Sequence, residues 1–293
     1  MSRLEILKTY KIYIGGAFPR TESGRYYKLL NKKNEVIANV CLSSRKDVRN
    51  ATVAARNAFN GWSTRAPFNR GQILYRMAEM MEGRKSQFID ELILQGSSKQ
   101  QAEREVKLSV DRCVYYSGWC DKYTALFSSV NPVASQHFNF SVPEATGVVS
   151  IIVSEDTSLL GLVSAILPVI AGGNTCVVLA SESKPLCAIT FAEVIATSDM
   201  PGGVVNIVTG NSNELHSHFS THMDVNAIIY CRENKSEQKA IAENASLNVK
   251  RSFFWQHDWT KDEAQNPYLI VDLQEIKTTW HPIEHIDISG AKY

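Results

Sequence analysis

The chain reads as an α/β protein built on a doubly wound parallel sheet. From Gly147 onward, apolar runs of strand length alternate with segments of helix length. The strand runs are apolar at nearly every residue, as in sheets buried on both faces. Proline and glycine fall at the joints: Pro185 opens a helical segment, and Pro201-Gly202-Gly203 follows its end.

Taken from the N-terminus, residues 12–14, 26–30 and 36–40 are short β-rich runs separated by turns containing Gly, Pro and Asn, which predicts a small sheet layer. At Ser44 the period changes. Ser44-x-x-Asp47 has the form of a capping box, and Val48, Ala51, Thr52, Ala55 and Phe59 then fall on one helical face. Ile73, Leu74, Met77 and Met81 predict a second helix, and Ala102, Val106, Val110, Cys113 and Ser117 a third. Tyr115, Tyr116 and Trp119 fall at helical spacing and read as packing aromatics. Phe138, Phe140 and Val142 alternate with polar residues, the period of a half-exposed strand, which is expected to be an edge offered to a partner. Strands follow at 148–153, 175–179, 204–208, 227–230 and 249–254. Helices are expected at 159–171, 185–196, just before His222, and at 236–244. After Trp255 the regularity is lost, apart from a strand-like run at 268–271. These readings divide the chain into an N-terminal strand and helix layer (1–131), an oligomerisation strand (132–146), the parallel sheet (147–255) and an irregular tail (256–293).

Composition narrows the functions. The 293 residues are 44% hydrophobic and 21% charged, in the range of globular proteins, and the net charge of +1 marks out no nucleic-acid surface. The longest apolar run, residues 159–171, is too short for a membrane span, and the opening MSRLEILKTYK lacks the apolar core of a signal peptide. Cys41, Cys113, Cys120, Cys176, Cys187 and Cys231 show no disulfide-like spacing, which predicts a reduced, cytoplasmic chain. Small-molecule or protein partners are therefore expected first.

Several segments together resemble the aldehyde dehydrogenase superfamily: "YIGGAFPRTESGR", "DVRNATVAARNAFNGW", "RGQILYRMAEMME", "TGVVSIIV", "AGGNTCVVLASESKPL", "PGGVVNIVTG" and "HMDVNAIIY". They occur in the family's order over roughly residues 10 to 255, and the chain looks most similar to the truncated second domain of aldehyde dehydrogenase family 16. The resemblance implies a Rossmann-like nucleotide-binding domain with an N-terminal helical layer, and a catalytic domain that is absent here. It also implies NAD(P)-dependent aldehyde oxidation by a cysteine nucleophile, which needs oxyanion donors and a carboxylate base.

Compared position by position, this sequence departs from that machinery. The family's oxyanion-donating Asn aligns with Asp156 in "SEDTS", and an ionised carboxylate cannot donate. The general-base Glu aligns with Trp255 in "FWQHD", which has no basic group, and the Gly-Gln-x-Cys nucleophile segment has no counterpart. Cys231, at a strand end, is a weak substitute thiol without an evident base. Among cofactor positions, the ribose-binding Lys aligns with Leu179, whereas the ribose-binding Glu is kept as Glu182. The glycines flanking the adenine pocket align with Ser212 and His216, and the pyrophosphate turn is "CRENKS", where Arg232 could hold a phosphate but Glu233 opposes it. Glu182 also has a plain reading as a helix N-terminal acid.

Two other motifs point elsewhere. "HPIEH" at 281–285 matches an inverted zinc-protease pattern but has no downstream acidic ligand, and reads as a polar tail. His216, His218 and His222 read as surface residues near a helix end rather than metal ligands. The expectation is a pseudoenzyme domain without bound cofactor that packs on an aldehyde dehydrogenase catalytic domain, in cis or in trans, or associates with itself. The alternatives are an NAD- or NADP-binding component that borrows its nucleophile from another chain, and a sensor of another nucleotide using Glu182, Arg232 and the acidic tip of Glu155 and Asp156 with a metal.

Overall fold

The computed structural model describes residues 6–283. Three short strands open the chain: β1 (Thr9–Tyr10), β2 (Tyr26–Leu30) and β3 (Val36–Cys41), in the order β1-β3-β2. Residues 12–14 do not form a strand of that sheet. Tyr13 instead bridges to Ile207 through two 2.8 Å backbone hydrogen bonds, tying this layer to an edge of the main sheet.

The helical layer comprises α1 (Arg45–Ser63), α2 (Pro67–Gly83), α3 (Lys85–Leu94), α4 (Lys99–Ser117) and the short α5 (Tyr123–Phe127). The Asp47 carboxylate accepts from the Ser44 N–H at 2.8 Å and from the Glu22 N–H at 2.9 Å, so the cap also anchors the preceding loop. The sequence pattern gave no sign of α3, because only Arg84 separates it from α2 and its buried face includes the carboxylate of Glu91.

Next come β4 (Ser129–Asn131) and β5 (His137–Ala145), then the main sheet: β6 (Val148–Ile152), β7 (Thr175–Leu179), β8 (Val205–Val208), β9 (Ala227–Tyr230) and β10 (Arg251–Phe254). Its five strands are all parallel, in the order β10-β9-β6-β7-β8. The connecting helices are α6 (Leu160–Ala171), α7 (Leu186–Ala196), α8 (Ser212–Thr221) and α9 (Lys235–Ser246). Alternate strand residues feed two cores. Val149, Ile151, Val178 and Ile229 pack towards α6 and α7 with the helical layer behind, whereas Val148, Ile152, Val177 and Ile228 pack towards α1, α8 and α9. The Pro201-Gly202-Gly203 turn permits close approach: a Cβ at Gly202 would stand 2.6 Å from the Gly15 carbonyl oxygen, and one at Gly203 equally close to that of Ala54.

Two readings of the sequence are corrected beyond Trp255. Residues Tyr268–Val271 form a helical turn, α10, with Leu269 and Ile270 buried against α6; four apolar residues are too few to set a period. Gln274–Pro282 then forms β11, antiparallel to β5 from Gln274 opposite Ala145 to Pro282 opposite His137. The 132–146 segment is therefore not a free edge, because β5 is the central strand of a β11-β5-β4 sheet. A half-exposed strand has unmet backbone groups on both sides, and the tail meets one row of them.

Candidate functional site

With β6 flanked by β7 and β9, whose crossovers run to opposite sides, the topological switch lies between β6 and β9. Ligands of such sheets bind outside the carboxyl ends of the strands at that point. Three loops meet there: Val153–Asp156 after β6, Ala180–Lys184 after β7, and Cys231–Arg232 after β9.

The Glu155 carboxylate fills the space between these loops. Its Oε2 accepts from the hydroxyls of Ser181 (2.6 Å) and Ser183 (2.7 Å) and from the Ser183 N–H (3.1 Å), while Oε1 accepts from the Glu182 N–H at 3.0 Å. Arg232 Nη2 lies 2.7 Å from Oε1 as an ion pair, at an angle that makes no hydrogen bond, and its Nε donates to the Val153 carbonyl at 2.9 Å. Burial acts to raise the Glu155 pKa, but Arg232, the two serine hydroxyls and the Glu182 N–H outweigh it and hold the carboxyl below its ordinary value. Two amides, two hydroxyls and a guanidinium are the donor set that a phosphate would recruit. Here they hold the chain's own anion.

A second internal carboxylate caps α6. Glu105 of α4 accepts from the Leu159 and Leu160 N–H groups at 2.7 and 3.1 Å, and the Thr157 hydroxyl accepts from Gly161 N–H at 2.8 Å. Three of the free amides expected at this helix start, those of Leu159, Leu160 and Gly161, are therefore engaged. Asp156 accepts from the Ser154 hydroxyl at 2.6 Å, and its carbonyl accepts from Lys184 Nζ at 2.7 Å. Trp255, 5% exposed, and Trp259, 3% exposed, fill the region beside the strand ends. Arg112 of α4 fastens that segment by donating from Nη2 to the carbonyls of Trp259 (2.9 Å) and Lys261 (2.8 Å).

Glu182 accepts from Asn211 Nδ2 at 2.9 Å, joining the loops after β7 and β8. It is not a first-turn helix acid, since α7 begins only at Leu186. Ser212 is buried and donates to Glu237, which also accepts from the Tyr230 hydroxyl, at 3.0 and 2.7 Å. This link closes the space between α8 and α9. His216 keeps Nδ1 2.9 Å from the Ser212 carbonyl oxygen.

All six cysteines are buried and free of disulfides. Burial pushes the Cys231 thiol up to about 12 against the opposing influence of Arg232, the reverse of an activated nucleophile. No cluster of three potential metal ligands occurs among the described residues, and no described helix is long and apolar enough to cross a membrane. His281 lies on β11 rather than a helix, and residues 284–285 of the HPIEH motif lie outside the described residues.

Sequence reasoning singled out Asp156, Glu182, Ser212, Arg232 and Trp255 one by one, of which the structure brings Arg232 and the Glu182 N–H onto Glu155 and turns Ser212 to Glu237. It missed Glu105 and Glu237 as internal partners. An acid at the end of β6 and a base at the end of β9 were the available sign of the Glu155–Arg232 pair. For Glu105, 54 residues before Leu159, no local pattern exists.

Comparison with known proteins agrees with this architecture. The mouse cytosolic 10-formyltetrahydrofolate dehydrogenase is 29% identical over 257 residues, which span 86% of this chain and 28% of that protein. An aldehyde dehydrogenase from Davidiella tassiana is 30% identical over 82% of this chain and 48% of its own length. Among solved structures, PnpE in complex with nicotinamide adenine dinucleotide superposes with a TM-score of 0.79 at 26% identity, covering 83% of this chain and 50% of that one. An NAD+ complex of the Bacillus cereus aldehyde dehydrogenase gives the same TM-score of 0.79 at 24% identity, a likeness of fold. The chain thus spans about half the length of the aldehyde dehydrogenases it matches, and less of the longer relative. The sequence profile of the aldehyde dehydrogenase family matches continuously from residue 19 to residue 254, through the helical layer and every strand of the main sheet, and on that match the chain belongs to the aldehyde dehydrogenase family.

Proposed function

We propose that this chain is a non-catalytic aldehyde dehydrogenase domain, which keeps the nucleotide-binding fold as a packing unit. Its partner is an aldehyde dehydrogenase catalytic unit in the same polypeptide or another chain, or a second copy of itself. The observation that carries the reading is the Glu155 carboxylate, held by four hydrogen bonds and the Arg232 ion pair where a ligand phosphate would otherwise be received. A phosphate oxygen about 4 Å from that carboxylate meets a repulsion on the order of 4 kcal/mol at the effective dielectric of a protein surface. The Ser212–Glu237 link and the engaged α6 amides add to the misfit, so these residues do not suit NAD or NADP in the family's manner. Asp156 as an acceptor, Trp255 at the base position and the buried Cys231 with its raised pKa support the same reading for aldehyde oxidation.

The competing reading is a cofactor-binding component that takes its nucleophile from another chain, and the dinucleotide in the related PnpE structure favours it. Calorimetric titration with NADH and then NADPH separates the two, with an intact aldehyde dehydrogenase as positive control. The expected result is no saturable heat up to millimolar cofactor. Micromolar binding of either dinucleotide would overturn the non-catalytic reading.

A further inference from the structure

A second cleft, of about 580 Å³, lies between the first turns of α1 and the last turns of α8. It is lined by Arg45, Arg49, His218 and His222, with the hydroxyl-bearing Ser217 and Thr221 between them and Val48 and Met223 as its apolar part. Because α8 leads from its last turn directly into β9, His222 stands near the amino ends of the strands, away from the crevice that Glu155 fills. The spacing i, i+4 puts Arg45 and Arg49 on one face of α1, and the same spacing pairs His218 with His222. We propose that this cleft is a binding site for a small organic phosphate monoester, with the guanidinium and imidazole groups on the phosphate and Val48 and Met223 against the organic part.

Charge is the first argument. Among the described residues neither Arg45 nor Arg49 has an ion-pair or hydrogen-bond partner, whereas their neighbours do: Lys46 pairs with Glu22, and Arg25 with Glu214 at 2.6 Å. Arginines at the start of a helix oppose its dipole, so helix stability does not account for them. The second argument is the state of the histidines. Burial and Arg45 depress the pKa of His218, with His216 adding to the effect and Glu214 opposing it. Burial, Lys250 and Arg49 depress that of His222, with Asp224 opposing. Burial is the larger cause in both, and Arg45 and Arg49 add to it, so each imidazole has a cation beside it and a bound dianion would favour its charged form. The Nδ1 of His222, a residue lining the cleft, accepts from the Asp224 N–H at 3.2 Å, which leaves the proton of the neutral ring on Nε2. Lys250, the remaining cation nearby, is turned onto the Ser220 and His222 carbonyls at 2.6 and 3.0 Å and serves the helix end instead.

The test follows the imidazole Cε1–H signals of His218 and His222 in the labelled full chain, titrated with inorganic phosphate and with phenyl phosphate at ionic strength fixed by sodium chloride. The expected result is a saturable shift of both signals, a rise in both apparent pKa values at saturation, and tenfold tighter binding of phenyl phosphate than of inorganic phosphate. The paired variant Arg45→Gln/Arg49→Gln, altered only at exposed positions, is expected to fold normally and lose at least tenfold in affinity. Shifts that do not saturate, equal affinity for the two probes, or unchanged affinity in the variant would each overturn the proposal.

Discussion

Glu155 shows how one side chain can tie together the loops of a whole crevice. Its carboxylate is 34% exposed and faces an Arg232 side chain that is 13% exposed, so the pair is partly shielded from solvent. Because its pKa is lowered in the folded state, its stabilisation is complete above the unfolded value of about 4.3 and is lost as pH falls through the lower folded value. Glu155→Gln keeps the shape and removes the charge. The variant is expected to lose about 1–2 kcal/mol at pH 7, an allowance reduced for exposure, and the deficit should shrink as pH falls from 5 to 3. Urea unfolding of both proteins across that range checks it, and a deficit that grows with acid would contradict the assignment. Glu91 is the opposite case. Burial raises its pKa against the hydrogen bonds from Thr190 and Tyr10, and Oε2 has no partner, so this carboxyl weakens the fold as pH rises.

At the scale of elements, the end of α9 carries visible strain. Val249 has φ +57°, in the left-handed region that a β-branched residue rarely adopts, and it is 92% exposed, with nothing packed on it to offset the cost. Val249→Gly should therefore raise stability by about 1 kcal/mol, the relief of strain exceeding the added freedom of the unfolded chain. Thermal unfolding monitored by circular dichroism checks this, and an unchanged or lower midpoint would count against it. The same scale explains which elements could be read directly. The strands β7 and β9 were legible because all their residues are buried and, apart from Thr175, apolar, and Ser44 with Asp47 marked the start of α1. The helix α3 was not, because a buried Glu91 broke its apolar face, and β11 was not, because its residues Glu275–Thr278 are all exposed and owe their strand to pairing with β5. The departures from the family's residues were legible at aligned positions. What fills the crevice was not, because Glu105, Glu237 and the Trp259 segment reach it from distant parts of the chain.

For the molecule as a whole, the tail decides which surface remains for a partner. By pairing with β5, β11 removes that edge, and as the new edge strand it carries Glu275, Lys277 and Pro282, residue types that discourage further strand addition. Facing and alternation in the register leave another route. Val130 opposite Phe140, with Phe138 two residues away on the same strand, puts three apolar side chains on one face of the β11-β5-β4 sheet. Val130 is 69% and Phe138 45% exposed, and the Phe138 and Phe140 rings pack with centroids 5.6 Å apart, tilted by 38°. An exposed apolar cluster of this kind is costly in water unless a partner covers it. If the packing role is correct, that face is the contact, and Val130→Lys/Phe138→Lys should abolish association while leaving the melting transition within a few degrees of the parent. Sedimentation velocity across a concentration series, alone and with an aldehyde dehydrogenase catalytic chain, reads the outcome. Association that survives both lysines would move the contact off this face, whereas a parent chain that stays monomeric and binds no catalytic chain would remove the packing role itself.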